Sequence, residues 1–154
     1  MIRFSKKMEY ALIAMLYISE KNSGELTTAR ELSDSFNTPP ELMGKVLQNL
    51  ARNGLITSVQ GVKGGYQIDI PLPDIKISSI ISAMEGPIHL VSCSIPNSKD
   101  TCEQQRFCNI KNSVTYIQNK ITNLFDNISL KDLQNLNRPV SQSMYQNKIN
   151  QEVF

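Results

Sequence analysis

Between residues 28 and 66 two short helical segments and a glycine-tipped hairpin follow one another with almost no chain to spare, and that order restricts the fold more than any other feature. Thr28-Ala-Arg-Glu31 is a capping box, a hydroxyl and an acid three residues apart that satisfy the first free N–H groups of a helix. It opens a short helix with Leu32 and Phe36 turned inward. Thr38-Pro39-Pro40-Glu41 reads as a second capping box, with proline at the first helical position, where its missing N–H does no harm. Leu42, Val46, Leu47 and Leu50 then mark a buried face, and Asn53-Gly54 ends the helix. Two short helices joined by a tight turn make a helix-turn-helix. Ahead of them, residues 5–20 form a helix capped by Ser5, with Met8, Ala11, Leu12, Met15 and Leu16 at helical spacing. After them, 55–60 and 66–70 are strand-like on either side of Gly61-Val-Lys-Gly-Gly65. Three helices followed by such a hairpin predict a winged helix, mainly α with a small β-hairpin wing.

A winged helix suggests DNA as the partner. The outward face of the second short helix carries Glu41, Gly44, Lys45, Gln48 and Arg52. Gln48 and Lys45 suit base edges in a major groove, and the small Gly44 permits close approach. Lys63 at the hairpin tip is placed to meet phosphate or a minor groove, and Gln60, Gly61, Gly64, Gly65 and Tyr66 complete the candidate wing contact. Arg3 and Lys6 before the core of the first helix, and Thr28 and Pro40 at the starts of the next two, are candidate backbone contacts. The alternative is an ordinary solvated face with a simple turn. A formal net charge of +2 gives almost no support to nucleic-acid binding, so the case rests on local pattern.

All three cysteines fall in 93–108, as Cys93, Cys102 and Cys108, in a polar stretch with no helical or strand period. A loop this polar cannot bury three thiols by packing. An odd count argues against a disulfide framework. An iron–sulfur cluster (2Fe–2S or 4Fe–4S) takes thiolates from such a loop and supplies the folding energy it lacks. Zinc with His89 as a fourth ligand, a thiol redox switch, and three unrelated thiols remain open. Glu9, off the apolar stripe of the first helix, reads from its position as a solvated first-turn acid.

Pro71 and Pro73 break the chain after the hairpin, and Ile77, Ile80, Ile81 and Met84 mark a helix that stops at Gly86-Pro87. Beyond Cys108, Ile110, Val114, Ile117, Ile121 and Leu124 recur at intervals of four, three, four and three. That heptad seam wants a partner helix and favours a two-fold homodimer through residues 109–126. Ser129 caps a last helix bearing Leu130, Leu133 and Leu136, and from Arg138 the Gln-, Asn- and Ser-rich tail reads as mobile. The expected organisation is a DNA-binding unit over 1–72, a cysteine loop with dimerisation helices over 73–137, and a tail over 138–154. No apolar run approaches membrane-spanning length and the N-terminus resembles no signal peptide, so the chain reads as cytoplasmic. One histidine, and no nucleophile–base pair or phosphate loop, argue against an enzyme.

Taken together, Arg3-Phe-Ser-Lys with Tyr10, Ala11 and Leu12, then Leu50-Ala-Arg-Asn-Gly-Leu55, Gly61-Val-Lys-Gly-Gly-Tyr66, Glu85-Gly86-Pro87 and the three-cysteine loop resemble the IscR/NsrR-type winged-helix transcription regulators of bacteria. The resemblance runs from about Arg3 to Leu136. It implies a homodimer with crossing long helices, a cluster on Cys93, Cys102 and Cys108, and binding to a palindromic promoter site under control of cluster assembly or loss. Gly86-Pro87-Ile88 followed by Cys93 is most similar to the SUF-type branch, which regulates cluster-assembly operons. Two positions depart from the pattern at the ligands and the wing. Lys111 stands where IscR-like members place a histidine ligand, and an ammonium offers no lone pair near neutral pH. Glu9 aligns with the acid that reaches across the dimer in NsrR-like members, which makes it the candidate fourth ligand, with His89 or an exogenous thiol behind it. Gln60 replaces the usual wing arginine, a neutral residue where phosphate or minor-groove contact is expected.

Overall fold

The structure is a computed structural model that describes residues 3–95 and 102–137. The tail expected from 138 onward lies outside the described residues. The chain runs α1 (Lys6–Ser19), α2 (Ala29–Phe36), α3 (Pro40–Arg52), β1 (Thr57–Val59), β2 (Gly65–Gln67), α4 (Ile77–Glu85), α5 (Lys111–Asn127) and α6 (Leu130–Asn137). None of these helices is long and apolar enough to cross a membrane.

Helix α1 begins where expected: Ser5 Oγ accepts from the Met8 N–H at 3.3 Å. Its Met8, Ala11, Met15 and Ile18 are buried against Leu32, Met43, Val46, Leu47 and Leu50, and α4 closes the core with Ile77, Ile80, Ile81 and Met84. Burying aliphatic side chains of this size contributes about 1.5–3 kcal/mol each, so this helical core holds the smaller hairpin in place.

Four local expectations are corrected. The capping box at Thr38 does not form: the N-cap of α3 is Pro39, and Thr38 Oγ1 is buried with no hydrogen-bond partner among the described residues. Thr38 and Pro39 each precede a proline, which pushes both toward extended backbone, so helix can begin only at Pro40. Met43 rather than Leu42 enters the core, because it lies three, four and seven residues before Val46, Leu47 and Leu50, and Leu42 is left half-buried on the flank. Phe36 is exposed rather than inward, resting edge-to-face on Tyr17 at 5.5 Å between ring centroids. The strands are also shorter than expected. Leu55 and Ile56 leave the ladder for the core, and the pairing runs only from Thr57↔Gln67 to Val59↔Gly65.

At Thr28 half of the expected box forms. Thr28 Oγ1 accepts from the Glu31 N–H at 3.1 Å, but the Glu31 carboxylate turns to α1, accepting from Tyr17 Oη at 2.6 Å and Lys21 Nζ at 2.7 Å. The Lys21 ammonium, then the Tyr17 hydroxyl, hold the Glu31 carboxyl below its usual range. A carboxyl lowered in the folded state contributes stability that is present above its unfolded value of roughly 4.3 and is lost as pH falls through the folded value. Glu31→Gln is therefore expected to melt a few degrees lower than the parent near neutral pH. In melts recorded from pH 7 down to 3, the gap should narrow below about pH 5 and close at the acid end.

The far end of α5 is tied into this body. Ile77 N donates to Ile128 O and Leu130 N to Ile75 O, while Gln134 Nε2 donates to Ser19 O at 2.9 Å. Ser129 caps α6 as expected, its Oγ and N–H both bonded to the Asp132 carboxylate, which those bonds hold below its usual pKa. Leu130 is buried beneath this cap, whereas Leu136 is exposed.

Candidate DNA interface and cysteine site

Helix α3 presents Glu41, Lys45, Gln48 and Arg52 to solvent, with Gly44 half-buried among them. Because Val46, Leu47 and Leu50 fix its inner face, this polar stripe has one orientation only. Thr28 and Pro40 sit exposed at the starts of α2 and α3, Thr28 already occupied by the Glu31 amide.

The wing is a tight turn in which Gly64 N donates to Gly61 O at 3.0 Å, with Lys63 and a fully exposed Val62 at its tip. Its glycines answer to backbone packing. A Cβ on Gly64 would lie 2.3 Å from Val59 O, and one on Gly65 2.9 Å from Thr27 O. Gly65 is close to Thr27 because Tyr66 exchanges both backbone hydrogen bonds with Thr27, at 2.8 and 2.9 Å. The wing is thereby stitched to the turn before α2. Gln60, Gly61 and Lys63 are exposed, while Tyr66 is half-buried against the core.

The basic residues proposed from sequence do not all reach this face. Lys6 is paired with Glu9 at 2.6 Å. Arg3 lines a groove of about 440 Å³ with Phe4, Glu85 and Phe125, beside α4 and α5. Instead Lys7, absent from the sequence expectations, joins Leu42, Lys45, Gln48, Asn49 and Arg52 around a concavity of about 240 Å³ between α1 and α3. The signal was available in the helical phase. Lys7 is one residue before Met8 and four before Ala11, on the flank of the buried stripe, whereas Lys6 falls on the far side.

Cys93 lies in a 3₁₀ turn (Ser92–Ser94), and Cys102 and Cys108 flank the turns that lead into α5. All three are free thiols, Cys93 exposed and the others half-buried. They line one concavity of about 540 Å³, whose wall is completed by Phe107, Val114 and Lys111, the first residue of α5. Gln118 latches the Cys93 turn to α5. Its Oε1 accepts from Leu90 N at 3.1 Å and from Ser94 Oγ at 3.3 Å. His89 Nδ1 is 3.3 Å from the same Ser94 hydroxyl, and His89 does not line the cysteine concavity. Neither does Glu9. The donors thus fit a cluster in kind and share one wall. Among the described residues, however, no three Cys, His, Asp or Glu side chains stand close enough together to hold a metal ion.

Along α5 the heptad splits in two. Val114 and Ile121 are half-buried toward the chain's own fold, whereas Ile110, Ile117 and Leu124, seven residues apart, stay exposed, with Tyr116 beside them.

A three-helix body with a recognition helix and a stitched hairpin is that of a winged helix-turn-helix transcription regulator. The Rrf2 family model, described as an iron-dependent transcriptional regulator, matches residues 4–136, and the chain belongs to this family. Among solved structures the fold is similar to CymR, the global cysteine regulator of B. subtilis, at 23% identity and a TM-score of 0.71 over 88% of this chain and 98% of that one. It is also similar to Staphylococcus aureus CymR, at 25% identity and a TM-score of 0.64 over 84% and 96%. T. potens IscR matches at 21% identity and 0.67 over 94% and 96%.

Proposed function

We propose that this Rrf2 regulator acts in the cytoplasm as a homodimer that binds a palindromic promoter site and senses iron–sulfur cluster status, with Cys93, Cys102 and Cys108 holding the cluster. The observation that carries the reading is that all three thiols line one concavity at the head of α5, where the Gln118 latch ties the Cys93 turn to the helix. A cluster supplies there the ligand-exchange and redox chemistry through which iron, oxidants or nitric oxide register. The chain's own part is mechanical. Gln118 fixes the Cys93 turn to the middle of α5, and backbone bonds at Ile128 and Leu130 fix the end of α5 to the DNA-binding body. A change at the thiols is thereby passed to the separation of the two reading heads. Half-sites lie about 34–36 Å apart, or a multiple of that, so a shift of a few ångströms is felt as affinity. Glu9 of the opposite subunit is the proposed fourth ligand. Dimer formation would then have to release it from Lys6. Cluster-assembly genes of the SUF type are the proposed targets.

Protein purified without air is expected to be brown, with iron and sulfide in similar amounts, and Cys102→Ser to be colourless. Colourless parent protein after anaerobic reconstitution would remove the cluster.

A thiol-redox regulator is the second reading. It is favoured by three free cysteines in one concavity without convergence on a metal site, and by similarity to CymR, whose Staphylococcus aureus form has also been solved oxidised. Colourless protein whose DNA affinity changes on mild peroxide treatment and returns with reductant would establish it.

A further inference from the structure

The concavity between α1 and α3 is lined by three cations, Lys7, Lys45 and Arg52, and by no carboxylate. The ion pairs among the described residues are Lys6–Glu9, Lys21–Glu31 and Arg30–Asp34, so none of the three is neutralised there. Gathering like charges on one small surface opposes folding unless an anion is to sit among them. The gathering is also selective. The chain carries a net charge of only +2, yet three cations share this one flank of the helix whose face offers Gln48 and Glu41 outward. A helix lying in a major groove has a phosphate backbone along its flank, and contacts there fix register without reading sequence.

We propose that Lys7, Lys45 and Arg52 form a seat for the DNA backbone along the flank of α3, in which Lys7 of α1 neutralises a phosphate of its own, a positioning contact outside the recognition helix and wing. Leu42, Val46 and Asn49 also line it, the first two apolar and the third a neutral amide. Lys6, one residue earlier, has no part in it because it falls on the far side of α1 and does not line the concavity. The inference rests on DNA binding by the family and not on the cluster.

Because such a contact is blind to sequence, an arbitrary fluorescein-labelled 30-bp duplex serves as the probe, followed by anisotropy across a salt series. Lys7→Gln is expected to weaken binding by roughly tenfold or more at 0.1 M salt, and to reduce the slope of log K against log salt by about 2, one phosphate for each subunit of the dimer. Lys7→Arg should restore both, and Lys6→Gln should leave the slope unchanged. A Lys7→Gln slope equal to the parent's would overturn the seat, as would an equal effect of Lys6→Gln, which would mark general charge rather than a site. Parent protein that bound no duplex at low salt would instead remove the DNA-binding role on which the seat depends.

Discussion

Ile117→Glu combined with Leu124→Glu is expected to turn a dimer into a monomer and to weaken binding to a palindromic duplex by roughly two to four orders of magnitude, the usual loss when two linked binding modules become one. Ile117 and Leu124 are 48% and 57% exposed on a helix none of whose residues is fully buried by its own chain. With Ile110 they form a row at seven-residue spacing, the period at which two helices keep one seam together. Covering the exposed half of each such side chain is worth about 1 kcal/mol, and placing a carboxylate at both positions replaces that gain with unpaired charge. Mass by light scattering, read beside anisotropy on the full site and on a half-site, separates the outcomes. The double variant should bind the half-site as well as the parent does and lose only the advantage of the second one. A parent protein of monomer mass would overturn the dimer, and with it the proposal that domain spacing carries the signal. Asn123→Glu, exposed on the same helix but turned away from the row, should change neither mass nor half-site affinity.

The seam was legible because a seven-residue period survives in sequence whatever covers it. What sequence could not tell was which half of the seam faces inward: Val114 and Ile121 lean on the chain itself, and only the other row is left open. The recognition helix was legible for a similar reason, since its inner and outer faces alternate at helical period. Its first turn was not. Two consecutive prolines admit two starting points one residue apart, and that step left Thr38 without the amide it was expected to cap. Lys6 and Lys7 carry the same charge, and which of them faces α3 depends on the phase of the buried stripe. At the cysteines, composition pointed to one site, and the three thiols do share one wall. The distances that would decide among cluster, zinc and thiols depend on how two turns close, which residue types alone do not encode.

Gly64→Val is the second large effect. The wing closes so tightly that a Cβ at this position would meet the backbone oxygen of Val59 at 2.3 Å and that of Gly61 at 2.9 Å, and backbone atoms of a paired hairpin cannot step aside as a flexible side chain can. The hairpin must open, yet the buried residues of α1, α3 and α4 do not depend on it, so the expected result is a folded protein with a disordered wing. Helical circular dichroism should stay close to the parent's. Duplex affinity should fall about tenfold or more, with a salt slope lower by about 2 for the two phosphates, one per subunit, that Lys63 no longer meets. Val62→Ala, at the fully exposed tip, should alter none of these. Combining variants then asks what the wing is for. If it serves only to carry the Lys63 ammonium to DNA, Lys63→Gln alone should reproduce the full effect, and adding Gly64→Val should deepen it no further. If Gly64→Val costs more than Lys63→Gln, the remainder belongs to the hairpin's backbone, or to the bonds between Tyr66 and Thr27 that hold the wing against the start of α2. Gly65→Ala distinguishes those two sources. Its Cβ would press on Thr27 O at 2.9 Å while leaving the turn from Gly61 to Gly64 intact, so an effect there comparable to that of Gly64→Val would assign the remainder to the stitch.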